Sequence, residues 1–371
     1  MAGSDAADQP VEIACDESGS EGERLVGGVT DVFAHASSEL DSAAATACVL
    51  ELRDRIRSPA TEYKANHLLR EKHRRVLVWL LGAEGPLSGY ARVHLTEKTF
   101  FVVGKLVNLL VEDLGYDASL GLYQGHQATA LARALYREGP AALGAQRWTA
   151  LLGSFNYLLR PRNRRGVRVS VDSFFELVEV LGASAPAGFS SGGGGPAGSG
   201  TSTSVGEIVG LLRAARPRLE SLVARLHDDP RAVPELNPIL PALVRAVTYW
   251  SGPDRPVSIV HDIQTGLTAE SVAQLRELFG KPDPALVRCA TGAARPYAPS
   301  GRLTGLTFAE SHLDSRVQVA DFLAGTARRI ASDDLNGRGD PELTALLRPY
   351  VDGYSIWGDA ASRLRLLPAA R

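Results

Sequence analysis

Short apolar runs that end in carboxylates constrain this chain more than any other feature. VEIAC at 11–15 is β-prone and runs directly into DESGS at 16–20, which holds two acids, two hydroxyls and a glycine. A strand entering a tight turn is the simplest reading. PVSIVH at 256–261 repeats the arrangement with Asp262 behind it. The runs at 90–95 and 303–308 also read as strands, and these four are expected to form a central sheet. Between them lie longer stretches of helical periodicity. An order of strands, helix, strand, a long helical stretch, strand–helix and strand–helix predicts an α/β fold, with a mixed sheet flanked by helices.

Between these runs the pattern predicts particular elements. Arg24–Ala34 suits a second strand, with Gly27 and Gly28 allowing a bulge. Helical character begins near Ser37, and Ala43–Arg57 is amphipathic. Lys64–Leu81 predicts one strong helix, with Leu68, Val76, Leu77, Leu80 and Leu81 on one side and Arg70, Lys72, Arg74 and Arg75 on the other. Phe100–Leu114 reads as a helix, and Gln127–Leu159 as two helices split at Gly139–Pro140. Helices follow at 174–181, 207–227, 235–247, 269–279 and 317–331, with one more and a loose basic end in 341–371. Residues 183–206 are almost wholly Ala, Pro, Ser, Gly and Thr, a composition that cannot offset its ordering entropy and predicts a mobile loop. The expected organisation is a tail at 1–10, a core at 11–115, a helical insertion at 116–250, the second part of the core at 251–332 and a helical tail at 333–371.

Composition removes some functions. The 371 residues carry a net charge of -2, which excludes a globally basic nucleic-acid binder and leaves only local basic patches. Cys15, Cys48 and Cys289 match no zinc spacing and no disulfide framework, so free thiols in a reducing compartment are expected. The polar, acidic start does not read as a signal peptide, and no run reaches the ~20 apolar residues of a membrane span. A soluble, cytoplasmic protein without membrane contact is expected.

The acids carry the candidate chemistry. Asp16 and Glu17 sit at the C-terminal end of a strand, the edge where open α/β sheets bind ligands. Asp262 holds the same position on another strand, and two such carboxylates side by side would share a cation or a proton. Asp321 lies in QVADFLAG among small apolar residues, where an acid is costly without a partner, and Gln318 is one turn earlier. Glu62 and Lys64 open the basic helix; Glu62 could add a metal ligand and Lys64 could bind phosphate. The basic face with Arg70 and Arg74, and the turn RPRNRRGVR with Arg164 and Arg165, suit phosphate contacts, as does the Ser18 hydroxyl. His261 reads as a packed histidine. The glycines at 192–195 are no phosphate loop, since no Gly-Lys-Ser/Thr follows.

IACDESGS (13–20), EYK (62–64), SIVHD (258–262) and SHLDSRVQVADFLAG (311–325) in this order resemble the bacterial family called domain of unknown function 3800. The resemblance covers roughly 11–115 and 250–332. It implies an RNase H-like fold with a large helical insertion and an acidic, metal-binding centre. Residue by residue it points to Asp16, Glu62 and Asp321 as acids, with Lys64 and Gln318 in support; Asp262 matches less firmly. The long insertion departs from the motif set.

The leading expectation is a metal-dependent phosphodiester hydrolase, a nuclease. Mg2+ or Mn2+ would be held by Asp16, Glu17, Glu62, Asp262 and Asp321, and Lys64 would neutralise phosphate charge. The alternatives are a non-catalytic nucleic-acid or nucleotide-binding module, and a metal-dependent enzyme acting on a small phosphorylated molecule.

Overall fold

A computed structural model describes residues 9–57, 63–108, 126–160, 170–184, 205–228, 236–251, 255–280 and 301–368. Glu62, Arg164, Arg165, Cys289 and most of the 183–206 run lie outside the described residues.

Strands β1 (Val11–Ser18), β2 (Val32–Ser38), β3 (Ala91–Glu97), β4 (Pro256–Asp262) and β5 (Arg302–Ala309) form one sheet in the order β3-β2-β1-β4-β5. β2 is antiparallel to both β1 and β3, whereas β1–β4 and β4–β5 are parallel. The mixed α/β class is as expected, and the four expected strands are all in the sheet.

The second strand differs from expectation. It is Val32–Ser38, whose every residue is buried, rather than 24–34. The polar letters His35, Ser37 and Ser38 suggest the approach to a helix, but here they sit on a strand covered on both faces. The preceding turn is held by side chains. Glu21 accepts hydrogen bonds from the Val29 and Thr30 amides and from Lys98, and Asn156 accepts from the amides of Leu25 and Val26. These side chains occupy backbone amides that would otherwise pair in a sheet.

Helix α1 (Ser42–Ile56) begins where Asp41 caps the amide of Ala44. The basic stretch 64–81 is not one helix. It forms α2 (Ala65–Leu68), a 3-10 turn at Glu71–His73 and α3 (Arg74–Leu81), because Arg70 takes an extended backbone (ψ 137°) that interrupts the helical path. α4 (Lys98–Asn108) leads to α5 (His126–Leu143), α6 (Ala145–Leu158), α7 (Val171–Ser184), α8 (Val205–Ala214) and α9 (Arg216–Asp228). The break between α5 and α6 falls at Gly144, whose φ of 81° ends the helix, while Pro140 stays inside α5. α10 (Ile239–Ser251) and α11 (Ala269–Gly280) follow. α12 (Ser315–Leu335) is the long C-terminal helix, before α13 (Pro341–Leu347) and α14 (Ala360–Leu366).

Alternation along the strands divides the core into two layers. On one face Val32, Ala34, Ala36, Val93 and Leu95 meet α1, α3 and α12. On the other, Ile13, Cys15, Phe33, Val257 and Ile259 meet α10 and α11. Residues 239–251, expected at the end of an insertion, therefore cover the sheet. α4 to α9 form a separate cluster around Phe101, Phe155, Phe174, Leu212 and Leu219. The C-terminal stretch is not loose: Val351 and Ile356 bridge to β3, and Trp357 is fully buried with Nε1 donating to Ser362. No described helix is long and apolar enough to cross a membrane. Cys15 and Cys48 are free and buried.

α12 crosses directly over β1 and β2, and its small residues allow that approach. A Cβ on Gly325 would collide with that of Ala65, so glycine is required where α12 meets α2. The same close approach brings Asp321 down to the strand ends.

Candidate functional site

Three carboxylates lie within electrostatic range of one another near the C-terminal end of β1, beneath α12. Asp16 lies at the end of β1 with only 4 % of its surface exposed. Cys15 and His261 are register partners across the parallel β1–β4 pair, which sets Asp16 next to Asp262. Asp321 reaches them from α12. Burial pushes the Asp16 carboxyl up to about 9, and the negative charges of Glu17, Asp321 and Asp262 add to the effect. The crowded carboxyls of this centre therefore favour a shared proton or a cation over full ionisation.

Glu17, one residue on, points to the other face of the strand, yet at the sheet edge its carboxyl still senses Asp262 and Asp321. Burial and these charges raise it to about 7, against the opposing hydrogen bond from Gln264. Glu17 Oε1 accepts that bond, whereas Oε2 is buried without a hydrogen-bond partner. An orphaned buried carboxylate oxygen beside two further acids suits a cation.

The surrounding residues hold these groups in place. The Ser311 amide donates to Asp262 Oδ1 at 3.0 Å. Lys64 Nζ donates to Ser311 Oγ at 3.2 Å and stands 3.6 Å from Asp321 Oδ2. The motif pieces at 16–18, 64, 262, 311 and 321 are thus brought to one place, and Glu62 lies outside the described residues. His261 is fully buried, as its reading as a packed histidine implies. Its Nδ1–H donates to the Asp262 carbonyl at 2.9 Å, and its Nε2 is 3.2 Å from His35 Nε2. Burial holds both imidazoles below their usual range, so they are neutral. This pair braces the end of β4 from behind.

The substrate-binding expectations divide. Gln318 is buried one turn before Asp321. Ser18 accepts a hydrogen bond from Arg328 Nε at 3.0 Å. Arg74 is taken up by Asp340 and Glu342, so its charge is largely spent within the protein. Arg70 is exposed. Arg328, Ser311 and Gln264 join the site without being expected there as functional residues. Ser311 has a signal in its fixed spacing to Gln318, while Arg328 and Gln264 have none.

Among the described residues, no three His, Cys, Asp or Glu side chains converge tightly enough to enclose one ion. No protein-family model, no curated protein and no solved structure matches the chain.

Proposed function

We propose that this protein is a divalent-metal-dependent phosphodiester hydrolase acting on nucleic acid, built on an RNase H-like core. The strand order and the single reversed strand β2 support the fold reading. The observation that carries the function is the gathering of Asp16, Glu17, Asp262 and Asp321 at one sheet edge, with the Lys64 ammonium beside them.

The donor set fits a hard cation. All four side chains offer carboxylate oxygens, and Glu17 Oε2 is buried and unbonded. Mg2+ keeps several waters and needs only one or two carboxylates, so it does not require three protein groups closed around it. Asp16 together with Asp262 or Asp321 would hold the ion, with Glu17 acting on them through its charge. When bound, the metal supplies an activated water and charge neutralisation at the phosphate.

The protein groups set up that chemistry. Burial and crowding hold the Asp16 carboxyl towards its protonated form, and a bound cation would favour the ionised form instead, with the proton released to water. Ser311 fixes Asp262 through its amide and Lys64 through its hydroxyl, which places a positive charge beside the acids for a phosphate oxygen. Gln264 orients Glu17.

Calorimetric titration of Mn2+ into the protein and into the double variant Asp16→Ala/Asp321→Ala tests the reading, followed by cleavage assays on DNA and RNA with Asp16→Asn as control. Metal binding and cleavage that both vanish in the variants support it. Equal Mn2+ binding by both proteins, or none by the wild type, refutes it.

A further inference from the structure

Two turns along α12 from Asp321, a groove of about 520 Å³ opens between α2–α3, α12 and the start of α13. It is lined by five arginines against three carboxylates. Three of those arginines are already matched. Arg74 binds Asp340 and Glu342, Arg329 binds Asp333 at 2.6 Å, and Arg338 reaches the same Asp333 at 3.4 Å. Arg70 and Arg328 make no ion pair among the described residues.

Arg328 is built into its position. Its stem lies across Gly19, where φ is 86° and an added Cβ would stand 2.7 Å from Arg328 Cδ and collide with the Val32 carbonyl. Its Nε donates to Ser18. The Ser-Gly that follows the acids of β1 therefore forms the seat for this side chain. One of five guanidinium N–H groups is used, and the two terminal nitrogens retain a fork suited to a phosphate. The group is half-buried, and burial together with the neighbouring Arg329 lowers its basicity. Asp31, Asp333 and Glu21 act on it through their charge without forming an ion pair, and an incoming anion would stabilise it further.

Geometry ties the groove to the acids. Residues 321, 325 and 328 follow i, i+4, i+7 spacing and share one helix face. Seven residues of helix span about 10 Å. Ser18, which holds Arg328, is two residues beyond Asp16 on the same side of β1. A polyanion that reaches the acids can lie along this face.

We propose that the groove is a subsite for the backbone of a single nucleic-acid strand, in which Arg328 and Arg70 bind a phosphate neighbouring the one presented to the acids. This rests on the phosphodiesterase reading of the acidic centre. Asn66 lines the same groove between Lys64 and Arg70 and offers a polar contact to the strand. The lining carboxylates Asp333 and Asp340 are taken up by Arg329, Arg338 and Arg74, which leaves Arg70 and Arg328 for the strand.

The test is fluorescence anisotropy with a labelled 20-nucleotide oligothymidylate, in EDTA, across a salt series. The variants are Arg328→Gln, Arg70→Gln and, as a control remote from the groove, Arg137→Gln on α5. Arg70 is exposed, so Arg70→Gln keeps the test open if Arg328→Gln fails to fold. Each groove variant is expected to weaken binding about five- to tenfold, and to flatten the plot of log K against log salt by about 0.7, the value for one lost single-strand phosphate contact. Arg137→Gln is expected to change neither. The proposal is overturned if the wild type does not bind the strand, if Arg70→Gln binds with wild-type affinity and slope, or if Arg137→Gln weakens binding equally. Thymidine monophosphate binding as tightly as the oligonucleotide would also overturn it, in favour of a small phosphorylated ligand. EDTA keeps metal out of this assay, so failure here removes the groove alone, while failure of the Mn2+ titration removes the metal centre alone.

Discussion

Replacing Asp16 with asparagine should stabilise the metal-free protein, although it removes a residue central to the proposed chemistry. The folded state raises this carboxyl from 3.8 to about 9 through burial and three neighbouring acids. A carboxyl raised on folding costs nothing below its unfolded pKa, where both states are protonated. Its cost grows as pH rises towards the folded value, because the unfolded chain then gains by ionising. Each unit is worth about 1.36 kcal/mol, so the roughly four units between 3.8 and pH 8 set a ceiling of about 6 kcal/mol. Glu17, raised to about 7, titrates in the same window, and the two behave as a pair. Relaxation and water entry lower the effective cost, so a gain of about 1–3 kcal/mol for Asp16→Asn at pH 8 is expected. Asparagine keeps an oxygen for the Glu17 amide, which Asp16 Oδ1 accepts at 2.6 Å.

The assay is urea unfolding of wild type and Asp16→Asn in EDTA at pH 5 and pH 8. Wild-type stability should fall between the two pH values by more than that of the variant, and the gap between the proteins should be wider at pH 8. Adding Mn2+ at one hundred times its Kd should restore about 2.7 kcal/mol to the wild type and nothing to the variant. If Asp16→Asn is less stable than wild type at pH 8 in EDTA, or if both share one pH slope, the carboxylates do not crowd one another and the electrostatic argument for a cation fails.

Other outcomes follow from the same geometry. Lys64→Met should lower the rate of phosphodiester cleavage at least tenfold while Mn2+ affinity, read by calorimetry, does not fall, because the Lys64 ammonium 3.6 Å from Asp321 Oδ2 adds positive charge for a phosphate and competes with a cation for that carboxylate. Gly325→Ala should destabilise by about 1–3 kcal/mol in urea unfolding, since the new methyl meets Ala65. Trp357→Ala should cost about 3–5 kcal/mol, which the unfolding midpoint will show, because the ring is fully buried against the first core layer. Asp352→Ala should cost a comparable ~3–5 kcal/mol by removing the carboxylate that binds both the buried Arg245 and His94.

What the sequence makes legible depends on which signals are local. A strand ending in acids is a local pattern, so the order of residues alone places Asp16 and Asp262 at strand ends. Asp321 stands out because an acid in a small, apolar helix demands a reason. The strand 32–38 is hidden because its polar residues pair across the sheet: His35 reaches His261, and Trp250 Nε1 donates to Ser37 Oγ. Those partners are more than 200 residues away, so no local period betrays them. The basic stretch 64–81 misleads for the same reason, since the acids that claim Arg74 lie in the C-terminal segment. Arg328 shows the converse: nothing near it in sequence marks it, and Ser18 at the end of β1, 310 residues earlier, holds it by a hydrogen bond. Charges on a helix thus gain a function from what a distant segment leaves unpaired. That is why the acidic residues of this centre, with Lys64 and Arg70, are legible in sequence, and Arg328 is not.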